Sequence, residues 1–362
     1  MAEHGLSEAI ERFEFRSIDA QGVAFATASD RYAGWIGQIY DRDYVAETTR
    51  RPKRLKTGTF EEVVLPVSSV DEYFEHFPSL ELDFTFYAPL LTADGDLTRT
   101  YRTLETYAAA TSQGRFWVKA PEVFTAPTVR SGGKGSDPRP RRDREATGPH
   151  FFPNPNYADP EAFRRQFVDP LQTLLGDRLE GVVFEQGYIP ATQVPPVASA
   201  IEPLDVLMRS LGHAVELHME LRTPRLLQPE YFDWLRSVQA GFVVSHWTFL
   251  PSIGAQFKQL GGIWPSDAKG RVVQRLLTPI GVRYEDAYAQ AHPFDAPVPA
   301  ISSSAPAKAM VRESVAMTFQ ALTAGLKPTV IVNNRAWGNA PDLARVLARR
   351  IILEWHRRGE HP

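Results

Sequence analysis

The 362-residue chain contains no cysteine. Disulfides, thiolate nucleophiles and Cys-ligated zinc or iron–sulfur centres are thereby excluded. No apolar run reaches the roughly 20 residues that a membrane-spanning helix needs, so no membrane contact is expected. The N-terminus, Met1-Ala-Glu-His-Gly-Leu6, lacks the basic segment and apolar stretch of a secretory leader, and a cytoplasmic location is the expectation. An excess of one charge is also missing. The 40 Lys and Arg face 43 Asp and Glu, a formal net charge of −3, which leaves no overall footprint for nucleic acid. No Gly-rich phosphate fingerprint follows the first strand-like segment, and no His-Glu-x-x-His zinc motif occurs.

What is present has ordinary globular composition, 43% hydrophobic and 23% charged. Strand-like and helix-like segments alternate from end to end. Strands are expected at residues 23–27, 80–86, 115–120, 181–186, 214–219, 241–245, 271–277 and 328–333. Helices are expected at residues 70–77, 97–111, 160–175, 201–211, 230–238, 253–260, 307–324 and 341–355. About eight strand-then-helix units argue for parallel strands closed into a barrel. The fold class is therefore α/β: a TIM-type (β/α)8-like barrel in a single domain over residues 21–358, after an N-terminal extension of residues 1–20. An open doubly wound sheet is the alternative. Two insertions, at about residues 43–66 and 129–150, interrupt the rhythm between a strand and its helix. Both are basic, with Arg50-Arg-Pro-Lys-Arg-Leu-Lys56 in one and Ser131 to Arg142 in the other. Loops after strands lie on the catalytic face of such a barrel, so a rim that attracts anions is expected there, unless both are merely solvated. The second, rich in Gly, Pro and charge, is expected to be mobile.

Candidate site residues follow from strand alternation, which sends successive side chains to opposite faces. Glu81, Asp83 and Thr85 alternate with Leu82, Phe84 and Phe86 and would share one polar face, ending in the aromatic tip at Tyr87. Asp83 is a general base or ligand in this reading; otherwise it is a carboxylate held by hydrogen bonds. Lys119 closes an apolar strand, either as salt-bridge partner of Asp83 or as a catalytic or anion-holding group. Gln186 ends the fourth strand and can position a substrate. Glu216 and His218 alternate on the fifth strand as an acid–base pair, although many structural histidines are satisfied the same way. His246 ends the sixth strand. Arg275 on the seventh is a candidate anion clamp. Asn333 and Asn334 end the eighth strand with donors and acceptors, or simply form a turn. Asp83, Glu216, His218 and His246 include metal-ligand types, but their spacing is non-local; no metal and no cofactor is assigned.

These pieces add up to a set. Gly34-Trp-Ile-Gly-Gln-Ile-Tyr40, Leu80-Glu-Leu-Asp-Phe-Thr-Phe-Tyr87 with Pro89, Phe116-Trp-Val-Lys-Ala-Pro121 with Thr125, Phe184-Glu-Gln186, Ala214-Val-Glu216, Arg275, and Asn333-Asn334 with Ala340-Pro341 resemble the YecE-like family, also called domain of unknown function 72. The resemblance runs from about residue 21 to 350. It implies a TIM-type barrel and a site, but no substrate. This chain departs from the family pattern at Asp83 (an asparagine is usual), Ala126 (histidine), His218 (arginine), His246 (aspartate) and Leu277 (histidine).

Three readings of function result. In the first, an enzyme acts by acid–base chemistry on a small anionic or sugar-like molecule at the C-terminal face. Asp83 and Glu216 move protons, Lys119 and Arg275 hold the anion, and Gln186 and Asn333 orient it. In the second, the barrel is a metal-dependent, endonuclease IV-like phosphoesterase on nucleic acid, which the net charge does not support. In the third, it is a non-catalytic binding barrel.

Overall fold

A computed structural model describes residues 2–42, 44–130 and 151–359. The expected mobile insertion, including Arg139–Arg142, lies almost wholly outside these residues. Eight parallel strands close into a barrel: β1 (Ala24–Ala28), β2 (Ser79–Leu82), β3 (Arg115–Lys119), β4 (Leu179–Gln186), β5 (Leu217–Leu221), β6 (Gly241–His246), β7 (Arg271–Leu276) and β8 (Lys327–Val332). They follow one another around the ring, and β1 pairs with both β2 and β8. The expected TIM-type barrel is the observed fold.

Each strand has two faces and each face has its own core. Phe25, Leu80, Phe116, Val182, Phe242 and Val330 face outward into the large apolar layer beneath the helices. Ala26, Trp117, Val183, Val243, Val273 and Ile331 point the other way and form a separate cluster in the lumen. Two large lumen side chains, Trp117 and His218, occupy space that only glycine leaves free. A Cβ on Gly181 would lie 2.6 Å from the Trp117 ring, and one on Gly241 would lie 2.1 Å from His218 Nδ1.

Helices form where apolar spacing gives each a buried stripe, and several of their N-termini are capped by side chains. Thr98, Ser252, Ser304 and Asn339 each accept from a backbone N–H in the following turn. The closing helix Ala340–Arg358 stops at Gly359, which takes the left-handed conformation (φ 68°) that costs glycine little. The N-terminal extension is not separate from the barrel. Its Leu6, Ile10, Phe15 and Ile18 are buried in the outer core, and Phe15 N–H donates to His76 O.

Three expectations are corrected. The strand expected at residues 80–86 stops at Leu82, and Phe84–Tyr87 is a 3-10 turn. Asp83 has helical backbone angles, and the Thr85 hydroxyl donates to Lys119 O at 2.7 Å, so Glu81, Asp83 and Thr85 do not share a strand face. The fifth strand runs over Leu217–Leu221, later than the expected residues 214–219. The first insertion is an ordered antiparallel hairpin, Thr49–Leu55 with Gly58–Val64. Its basic strand is partly neutralised by its partner: Arg50 pairs with Glu61, and Arg51 and Lys53 pair with Glu62.

Gly241→Ala is expected to destabilise the fold by about 1–3 kcal/mol, the usual cost of overpacking a filled core. Combined with His218→Ala, which removes the obstructing ring, the penalty should be less than additive. Urea unfolding of the four proteins of the cycle measures this; strict additivity would mean that the two side chains do not compete for space.

Candidate functional site

Lumen-facing positions near the C-terminal ends of the strands carry charge. Arg275 on β7 reaches across the barrel to Glu81 on β2. These strands are not neighbours in the ring, so the contact passes through the lumen. Arg275 Nε and Nη2 donate to the two Glu81 oxygens at 2.8 and 2.6 Å, and its Nη1 donates to Glu220 on β5. Glu220 also accepts from Ser245 Oγ and lies 3.2 Å from Arg222 Nη2. Glu185 on β4 accepts from Lys119 Nζ and Arg222 Nη2, both at 2.7 Å. Lys119 lies over the Phe86 ring and Arg222 over the Trp247 ring.

Three carboxylates and three cations therefore cancel within one buried network. Burial alone would raise the Glu185 pKa, but Arg222, Lys119 and Arg275 hold it well below the usual carboxylate range. Burial pushes Glu81 the other way, against the pull of Arg275. Lys119 and Arg275, expected to hold an anion, have carboxylates of the protein as partners. Lys119 pairs with Glu185 and not with Asp83.

Beside this network, at the same end of the barrel, a cavity of about 1010 Å³ opens between the β1 and β2 loops, the hairpin and the end of β8. Asp83, Tyr87, Asn333 and Asn334 line it, together with Tyr32, Tyr284, Arg31, Arg99 and Arg335. Neither the Asp83 carboxylate nor the guanidinium groups of Arg31, Arg99 and Arg335 form a hydrogen bond or ion pair with the described residues. Arg335 packs its guanidinium on the Tyr284 ring, 4.4 Å from its centre.

The other sequence candidates lie elsewhere. Gln186 is one residue out of phase with the lumen: its amide donates to Tyr157 Oη at 2.7 Å and accepts from Tyr231. His246 is likewise out of phase with Ser245; it is buried, and burial pushes its pKa down to about 4. Glu216 and His218 belong to the opposite end of the barrel. Glu216 precedes β5 and accepts from Ala268 N–H. His218, level with the first residue of β6, sits 3.1 Å from Asp267, before β7. The structure thus brings neither of them to Asp83. An arginine does stand two residues after a glutamate on the fifth strand, as Arg222 after Glu220. Glu185, Glu220 and Arg222 are not among the sequence candidates, although the alternation His218-Met-Glu220-Leu-Arg222 carries the signal for the last two. Among the described residues no three His, Asp or Glu side chains cluster as metal ligands would.

Replacing Arg275 with Met should leave Glu81 and Glu220 buried without their main partner. A loss of about 3–5 kcal/mol is expected, read from denaturant midpoints; a loss below 1 kcal/mol would show that the network is not held by this residue.

Asp30 lies behind the cavity wall, between Ser29 and Arg31. Its Oδ1 accepts from Tyr107 Oη at 2.7 Å, and its Oδ2 is buried without a partner. Burial pushes its pKa up to about 6, while Tyr107 and Arg31 pull it down and Asp83 adds to the rise. A raised carboxyl binds its proton more tightly in the folded chain. Its contribution is full below the unfolded value, near 3.8, and is lost as pH rises through about 6. Asp30→Asn should therefore raise stability by roughly 2–3 kcal/mol near pH 7.5 and by much less near pH 4.5. A mutant-minus-wild-type difference that does not change with pH would contradict this assignment.

The family model described as "Protein of unknown function DUF72" matches residues 54–361. Among solved structures, the chain is similar to a DUF72 family protein from Thermotoga maritima, with 17% identity, coverage of 92% of this chain and 99% of that one, and a TM-score of 0.50. A DUF72 family protein from Enterococcus faecalis shares 12% identity, with 92% and 97% coverage and a TM-score of 0.50. At such identities the two structures speak for the fold alone. No curated protein matches the chain. With a family model spanning most of its length, and with the barrel found in two structures of that family, the chain belongs to the DUF72 family.

Proposed function

We propose that this protein is an enzyme acting by acid–base chemistry on a small anionic or sugar-like molecule bound in the cavity at the C-terminal mouth, with Asp83 moving the proton. The observation that carries this reading is the state of Asp83. It is a half-buried carboxylate lining the cavity, with no hydrogen bond or ion pair to the described residues. A carboxylate kept only for stability normally has partners; one that must take or give a proton needs a free oxygen facing the substrate.

The surroundings support it. The Thr85 bond to Lys119 O holds the turn that presents Asp83, and two residues before Asp83 the Glu81 carboxylate is anchored by Arg275. Tyr32, Tyr87 and Tyr284 give the cavity ring faces with polar tips. The volume, about 1010 Å³, is at the upper end of the range for small-molecule sites.

The test is a substrate search with a matched control. A pool of sugar phosphates, sugar acids and free sugars is incubated with wild type and Asp83→Asn, and mass spectrometry follows each compound. At least one compound should be consumed by wild type and turned over about 100-fold or more slowly by the variant, the usual range for a lost general acid or base. The variant should melt close to wild type, because its carboxylate holds nothing else. Wild type that consumes no compound, or Asp83→Asn that works at the wild-type rate, would overturn the proposal.

A further inference from the structure

Two neighbouring donors at the end of β8 lack acceptors. Asn334 is buried, with 2% of its surface exposed. Its Oδ1 accepts from Ala340 N–H at 2.8 Å and from Trp35 Nε1–H at 3.3 Å. Both contacts are donors, so the atom between them must be the amide oxygen and the other must be the NH2 group. That NH2 group, Nδ2, is buried and has no partner. The next residue repeats the pattern: Arg335 Nε is buried without a partner, and its guanidinium, oriented by the Tyr284 ring, meets no carboxylate among the described residues. Both residues line the cavity. A buried donor without an acceptor is unfavourable, and two such donors on consecutive residues, one of them cationic, are a match for an oxygen-rich anion.

We infer that the end of β8 is an oxyanion seat, in which Asn334 Nδ2 and the Arg335 guanidinium hold a phosphate, sulfate or carboxylate group of the ligand. This rests on the reading of the cavity as the ligand site and adds which part of the ligand goes where. Lys119 and Arg275, the cations first expected to do this, have carboxylate partners; Arg335 has none. Barrels of this type often seat a phosphate at the loops after the last two strands. That is analogy, and the donors here are identified from their own bonds.

The experiment is a thermal shift of the full chain titrated with inorganic phosphate, sulfate and acetate in the millimolar range, each against sodium chloride of equal ionic strength. Phosphate or sulfate raising the melting temperature points to a tetrahedral group; acetate alone doing so points to a carboxylate. The anion that acts should bind about tenfold or more weakly to Arg335→Gln and to Asn334→Asp. The second variant keeps the oxygen that Trp35 and Ala340 need and replaces only the NH2 group. Arg54→Gln, on the exposed hairpin, should bind like wild type. If Asn334→Asp does not fold, Arg335→Gln decides alone. The inference is overturned if no anion moves the wild-type melting temperature beyond the chloride control, or if the shift survives in Arg335→Gln. A protein that consumes a neutral sugar but binds no anion would lose the seat and keep the enzyme; anion binding without any turnover would do the reverse.

Discussion

Arg275 is the interaction on which the upper half of the barrel depends. A closed ring of strands leaves its lumen to be filled by whatever side chains point inward. Halfway up, this chain fills it with valine, isoleucine and tryptophan; one level higher it places three glutamates. Three carboxylates together in a dry space would repel one another and lose their hydration. One guanidinium reaching two of them, assisted by Arg222 and Lys119, makes the arrangement neutral. The end of β2 is thereby tied to the far wall, and the turn that follows it starts from an anchored point. An apolar filling would be as good or better for stability alone; the charged one sets side-chain directions at the level from which the mouth is built.

Much of the fold was legible in the sequence. Eight alternating units appear as eight strands with their helices, and strand alternation turns Glu81, Lys119, His218 and Arg275 into the lumen. It could not give their height. Alternation determines a face, but how far up the barrel a residue stands depends on the register between strands, which packing of distant segments decides. The fifth strand ends later than its apolar pattern suggested. Glu216 and His218 consequently fall at the base, while Glu220 and Arg222 take the level expected of them. Gln186 shows the opposite error, since it has the right height and the wrong phase. Asp83 was placed on a strand because the pattern continues through it, although a hydroxyl-to-carbonyl bond at Thr85 turns the chain before that point.

Charge was the least legible property. The run Arg50–Lys56 reads as a basic patch, yet Glu61 and Glu62 lie opposite it once the hairpin closes. The same holds for Lys119, which looks free until a strand distant in sequence brings Glu185 to it. Composition reports how many charges a chain has; only folding decides which of them remain uncompensated, and here those include three arginines and Asp83 around one cavity.

The hairpin also bears on how the molecule comes together. Its outer face leans on the helix Tyr284–Ala291: Tyr288 Oη donates to Glu62 at 2.8 Å, over a separation of 226 residues, and Phe60 packs against the rings of Tyr288 and His292. One wall of the cavity is thus borrowed from the seventh unit by the first, over the seam where the earliest and latest strands meet. A nascent chain holding only the first half of the barrel possesses Asp83 but has nothing to enclose it. The cavity therefore acquires this wall only once the seventh unit is present, and the entropy of closing the chain over so long a separation must be met before the contact rewards it.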